Sequence, residues 1–355
     1  MNTDNCRIEL VQTKAQYEGL RALWHEVFGD EPFYVDNMYR AFGDDIAGFI
    51  ITNDEGKVIS ALTCYKCGTY RIPESLREEL GWEEEDASGK SDAFSAAELD
   101  GRPVYVSYAI CTDPSYRGLG LAGRLTSYVR DLVILEYDGI SIVSPAERSL
   151  EDFYSELGYK QHFFANHGIA FSGPDAGDDE LMELAFDDDD DVMIWGEDFG
   201  PEADIDGEDN GPFDPGINMT PVSAAMYNRY REAFLAETAH IELSERMIDF
   251  VKSESLEGDG LFVINGGDAI AAVQGEPAEE GGQPSQLALT ELLVNPVLAD
   301  FSYEIDIQIA SMIAGYFGLE RLPYRTPGYG RCQSMLAAGT AGPEDQPAYF
   351  GFPID

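Results

Sequence analysis

Positive charge is scarce in this chain. Its 355 residues hold 22 Lys and Arg against 67 Asp and Glu, a formal net charge of −45. A field of that sign repels phosphate backbones and anionic lipid, so neither nucleic acid nor a membrane surface is an expected partner. It attracts cationic amines, and it equally suits a solvated acidic surface or a salty cytoplasm. The basic residues are uneven, with fifteen before residue 171, none in 171–217 and seven after. Cysteines number only five, an odd count that fits reduced, buried thiols in a reducing compartment better than a disulfide framework. No long apolar run occurs, and Met1-Asn2-Thr3-Asp4-Asn5 lacks the basic start of a secretory signal. A soluble cytoplasmic protein is expected. Metal-ligand patterns are also thin. Cys64-x-x-Cys67 with His162 and His167 imitates zinc spacing, but residues three apart in a strand face opposite ways. Asp206-x-Glu208-x-Asn210-Gly211 imitates half a calcium loop, but Ile217 stands where a bidentate Glu is required. No metal is expected.

What the chain does have is enough apolar residues, 44%, for an ordinary core, and a length beyond what one core usually serves. Residues 173–217, with Asp187 to Asp191 in a row, read as an acidic linker between a domain at 1–172 and another at 218–355. In the first, Ile8 to Val11 reads as a strand, Tyr17 to Phe28 and Pro32 to Phe42 as helices, and Ala47 to Thr52 with Val58 to Thr69 as a hairpin. Residues 70–102 read as a surface insertion with a short helix near Glu74 to Leu80. In the second, helices are expected at Ser223 to Leu235, Ser244 to Lys252 and Ile305 to Phe317. Strands are expected there at Leu261 to Asn265, Ala269 to Gln274 and Leu287 to Val294.

One stretch reads as machinery. Val104 to Ile110 is apolar or small on both faces, as in a buried strand; Asp113-Pro114 ends it, and from Leu119 to about Tyr137 apolar residues recur at helical spacing. Gly118, Gly120 and Gly123 then lie where a turn opens a helix, so unshielded N–H groups sit at the positive end of the helix dipole. This is a cradle for an anion, although such glycines also serve plain connections. No Gly-Lys-Ser/Thr follows these glycines, which removes a Walker A loop. By letter Gly118-x-Gly120-x-x-Gly123, with Asp138 beyond, also fits a dinucleotide fingerprint. Arg117 at the head of the loop argues the other way. Arg117-x-x-Gly120-x-Ala122, after a strand ending in Thr-Asp-Pro, resembles the acetyl-coenzyme A loop of the GNAT N-acetyltransferases.

A second match strengthens the resemblance. After the short strand Ile140 to Val143, the segment Glu147 to Tyr159 holds Phe153-Tyr154, Gly158 and Tyr159 in the family's register, while Glu147 and Leu150 depart from it. The resemblance implies an α/β (α+β) architecture of two tandem GNAT-like domains. Each would be a mixed, mostly antiparallel twisted sheet flanked by helices. The second is degenerate, because Val297-Leu298-Ala299-Asp300 replaces the loop after Asn295-Pro296. It also implies acetyl-CoA as co-substrate and a small-molecule or peptide amine as acceptor, and leaves homo-oligomerisation open. Backbone groups of Ile110, Cys111 and Thr112 would hold the pantetheine arm, and Arg117, Gly118, Leu119, Gly120, Leu121, Ala122 and Gly123 the pyrophosphate. Tyr154 would protonate the leaving thiolate, since a phenol keeps its proton at neutral pH. The strand before the loop has no acid, so the general base stays open among Glu31, Glu147 and the carboxylate of Asp355. Glu31, Phe33, Tyr34 and Tyr108 would flank the acceptor. A coenzyme A-binding sensor or scaffold without turnover is the alternative.

Overall fold

The first helix is capped at both ends. Thr13 accepts the Gln16 N–H while the Gln16 side chain accepts the Thr13 N–H, a reciprocal capping box, and Gly29 at φ 82° stops the same helix. The computed structural model describes residues 7–79, 99–172, 216–276, 286–299, 304–338 and 348–351. The first half comprises β1 (Ile8–Leu10), α1 (Lys14–Phe28), α2 (Pro32–Phe42), β2 (Ile46–Thr52), β3 (Val58–Arg71), α3 (Glu74–Glu79), β4 (Pro103–Thr112), α4 (Leu121–Glu136), β5 (Ile140–Val143), α5 (Ser149–Glu156) and β6 (Lys160–Phe171). The second comprises β7 (Met219–Pro221), α6 (Ala224–Phe234), β8 (His240–Leu243), α7 (Glu245–Glu254), β9 (Leu261–Ile264), β10 (Ala269–Glu276), β11 (Gln286–Val294), α8 (Pro296–Ala299), α9 (Ile305–Tyr316), β12 (Arg321–Pro327) and β13 (Arg331–Ala337). The expected mixed, mostly antiparallel sheet flanked by helices is present. Most of the expected calcium-like motif and acidic linker lies outside the described residues.

The strand order is β1-β2-β3-β4-β5-β13-β6-β12-β11-β10-β9-β7. Each half walks inward from its own edge, and each has one parallel pair, β4 with β5 and β11 with β12. At the middle the last strands have changed places. β13 of the second half pairs with β5, and β6 of the first pairs with β12. The connection from β12 to β13 must therefore cross β6. Gly330 lies so close there that a Cβ would fall 2.6 Å from the Ala165 carbonyl oxygen.

A second set of pairings closes a circuit. β3 extends past β2, whose pairing ends at Tyr65, and on that edge it pairs with β8, Gly68 opposite Leu243 through Arg71 opposite His240. His240 bridges to Tyr349, and Ala348 bridges to Phe163 of β6. With the β3–β4, β4–β5, β5–β13 and β13–β6 ladders, strands from both halves form a ring whose last stave is Ala348–Tyr349. Val106, Ile142, Leu336, Phe163, Ile241 and Phe350 share one buried cluster with α1, α2, α6 and α7, while α4, α5 and α9 cover the other face.

Arg231 pins the stave. Fully buried, it donates to Glu291 Oε1 at 3.1 Å, to the Ile241 carbonyl at 2.7 Å and to the Phe350 carbonyl at 3.0 Å. The Tyr227 hydroxyl donates to Glu291 Oε2 at 2.8 Å. A buried ion pair is tolerable when its hydrogen-bonding capacity is used in this way.

Candidate active site

The site begins where two neighbouring strands part. β4 pairs with β5 only from Val104 opposite Ile140 to Val106 opposite Ile142, leaving Ser107 to Thr112 without a β5 partner. On the other side the β3 register slips between Tyr108 and Cys111, and Ala109 takes φ 48°. A left-handed alanine costs on the order of 1–2 kcal/mol, and the bulge it makes turns backbone groups out of the ladder. The strand expected to be buried throughout is thus buried at Val104, Val106 and Ser107 and half-buried from Tyr108 to Ile110. An extended ligand can add itself to such an edge.

β4 ends at Asp113, a buried carboxylate that accepts Lys57 Nζ at 2.5 Å and the Ser115 N–H at 2.8 Å. The Lys57 hydrogen bond first, and the Ser115 amide after it, hold the carboxyl below its ordinary value. A single helical turn at Pro114–Tyr116 follows. Arg117, exposed, sets its guanidinium 3.4 Å from the Thr112 carbonyl. Gly118 at φ 77° and Gly120 at φ 71° then bend the chain into α4, and no atom lies within 4 Å of where their Cβ atoms would be. Gly120 caps α4 without a side chain. The first-turn N–H groups at Leu121, Ala122 and Gly123 have no intrahelical acceptor, and they stand at the positive end of the dipole. Leu119 is exposed in the loop, whereas Gly123 lies inside the helix, where an added Cβ would meet Phe153 and Leu157 at 3.7 Å, an ordinary contact.

Tyr154 on α5 is 7% exposed and packs with Val143 and Met335, against which Ile110 also leans. Burial pushes its hydroxyl up to about 12. Thus the loop, the open edge and this phenol, separate in the sequence, converge around the end of β5. Glu147 lies exposed just ahead of α5, accepting the Ser149 hydroxyl at 3.0 Å. On the opposite face Tyr34 and Tyr108 meet with hydroxyls 3.3 Å apart, backed by Trp24 at 5.4 Å from the Tyr108 ring. Desolvation raises the Tyr34 hydroxyl far above its usual range. Phe33, 71% exposed, and exposed Glu31 sit where α2 begins. Asp355 lies outside the described residues.

No protein-family model and no curated protein matches the chain. Solved structures do. A conserved Enterococcus faecalis protein described as a probable N-acyltransferase superposes with a TM-score of 0.55 at 12% identity, over 94% of this chain and 72% of its own. A GCN5-related N-acetyltransferase from Anabaena variabilis gives 0.53 at 12% identity, over 93% and 72%. The chain has the GNAT fold. Both matches run through the two halves, so the tandem arrangement belongs to the GNAT likeness as well.

Within this GNAT fold, the thiols that imitate a zinc pair fall into different clusters, Cys64 under α4 and Cys67 on the opposite face, and burial pushes Cys64 up to about 12. His162 turns instead to Tyr70, with Nε2 and hydroxyl 2.7 Å apart. Sequence reasoning missed the Ala109 bulge and Phe250, which lies 6.0 Å from the Tyr34 ring and brings α7 of the second half to the face where Tyr34 and Tyr108 meet. Alanine has no left-handed preference to betray a bulge. Phe250 reads from sequence as one more apolar residue on an amphipathic helix.

Proposed function

We propose that this chain is an N-acetyltransferase that moves the acetyl group of acetyl-coenzyme A directly to a primary amine of a small molecule or peptide. One observation carries the reading: the unpaired edge of β4 leads straight into the glycine turn and uncapped N-terminus of α4. An arm bearing amides needs such an edge, and an anionic head needs such a helix end. The open space in front of Gly118 and Gly120 fits that head, because any side chain there would stand in it.

In this reading the backbone at Ile110, Cys111 and Thr112 holds the pantetheine arm. The N–H groups from Gly118 to Gly123 hold the pyrophosphate, with Arg117 beside them. The amine, once deprotonated, attacks the thioester carbonyl carbon, and a backbone N–H at the β4 bulge stabilises the oxyanion. The C–S bond then breaks, the departing sulfur takes the Tyr154 proton, and the attacking nitrogen gives up its extra proton to solvent, which returns one to the phenolate. Tyr34, Tyr108 and Phe33 flank the acceptor. Glu31, Glu147 and Asp355 remain the candidates for the proton lost by the ammonium.

The test is thiol release from acetyl-coenzyme A over a panel of primary amines, with the amide product weighed by mass spectrometry. Amine-dependent release is expected. Tight coenzyme A binding without release from any amine would favour the sensor or scaffold, a reading supported by the lack of an acid on β4.

A further inference from the structure

The far wall of the gap comes from the other half of the chain. β5 ends at Val143, whose partner on β13 is Met335, so β13 residues before Met335 run on past the end of β5. Ser107 to Thr112 of β4 also run on past their last β5 pair. Beyond that point β5 no longer separates the two strands, and the opening is bounded by β4 on one side and β13 on the other. Here β13 is irregular. Its register against β6 slips on both sides of Ser334, Gln333 is skipped in the pairing, and the Ser334 hydroxyl meets that of Ser144 at 2.7 Å just past β5. Cys332, the residue before Gln333, packs on the cluster that holds Tyr154.

Gln333 is only 7% exposed, yet neither its amide nitrogen nor its amide oxygen has a hydrogen-bond partner. Of the buried polar side chains nearby, Ser334 is satisfied by Ser144, Tyr159 by Ser141 and His162 by Tyr70, while the Ser107 hydroxyl on β4 is, like Gln333, without a partner. A buried amide with both ends bare is strongly disfavoured, and a bound molecule that gives and takes a hydrogen bond at that depth would relieve it. Resting on the reading of the gap as the pantetheine channel, we propose that Gln333 is a cofactor-binding residue supplied by the second half, its side-chain amide pairing with an amide of the pantetheine arm.

The test compares wild type with Gln333→Met, an apolar side chain of similar length, using coenzyme A and adenosine 3′,5′-diphosphate, which lacks the arm, as calorimetric probes. Removing an orphaned amide should leave the melting temperature equal or higher. Coenzyme A affinity should fall about tenfold, the worth of one to two hydrogen bonds, and the nucleotide's affinity should not change. Unchanged coenzyme A affinity overturns the proposal, as does an equal loss for both probes or a lowered melting temperature, either of which makes Gln333 structural. Wild type that binds no coenzyme A sinks the reading of the gap, and this assignment with it.

Discussion

Tyr154 owes its place to two conditions that pull together. The apolar packing that keeps it 7% exposed also raises its hydroxyl to about 12, so the phenol holds its proton throughout the working range. Tyr154→Phe keeps the ring and removes only the proton, so turnover should fall about 10²- to 10⁴-fold with near-constant coenzyme A affinity. The kcat/KM profile of wild type should rise with pH as the amine loses its proton and show no descending limb below about pH 10. A limb near pH 8 would assign the acid to another group. His162 makes the opposite kind of prediction. Burial lowers it to about 4, against about 6.5 in an unfolded chain. Between those values the unfolded chain takes a proton that the folded one refuses, so stability is lost as pH falls from about 6.5 to 4, by roughly 3 kcal/mol in all. Melting curves of wild type should therefore drop relative to His162→Gln over that window, and parallel curves would mean the imidazole is protonated in place. The helix that carries Tyr154 was legible because its motif is local. The company of His162 was not, since Tyr70 lies ninety-two residues away across a ring of strands.

At the scale of elements, strand, glycine turn and helix could be read in advance because each signal is local: a run of apolar residues, Asp113-Pro114 as a stop, and then the 3.6 period of α4. The first hairpin, the short α3 and the Ser244 cap of α7 were legible for the same reason. β12 and β13 were not foreseen. β12 carries two prolines, and it is a strand only because β6 lies beside it, some 150 residues away in the chain. The turn makes its own prediction. Gly120→Glu forces a side chain onto φ 71° and sets a carboxylate against the open end of α4. Left-handed strain of on the order of 1–2 kcal/mol is too small to unfold the chain, but the charge stands where the pyrophosphate would lie. Coenzyme A binding should disappear in calorimetry while the melt stays within a few degrees of wild type. Wild type should bind once per chain, because Pro296 opens α8 where a second glycine turn would be needed. Two equivalent sites, or retained binding in the variant, would place the ligand elsewhere.

At the scale of the molecule, the halves repeat in order, and that repeat showed in the sequence as helix, helix, hairpin, strand, helix. Their interleaving did not show, because the exchange of β6 and β13 leaves each half's own pattern unchanged. Its energetic consequence is large. Without the second half, β6 would lose β12 on one side and β13 on the other, β5 would lose β13, and β3 would lose β8. Phe163 and Ala165, fully buried in the intact chain, would be uncovered. Each large apolar side chain so exposed costs about 1.5–3 kcal/mol, against a total stability of about 5–15 kcal/mol for a domain. The second half fares no better alone, since β12 would lose β6, and Arg231 with Glu291 would face water or stay buried beside a stave whose partner strand is gone. Residues 1–172 and 216–355 expressed separately should therefore each fail to give a cooperative melt. Co-expressed, they should assemble one to one and melt in a single transition. Hydrogen exchange on that complex should protect β6 and β13 together, as neighbours in one ladder. A cooperative melt from 1–172 alone would show that β6 is stable with bare edges and that the exchange of strands is decoration on two self-sufficient folds.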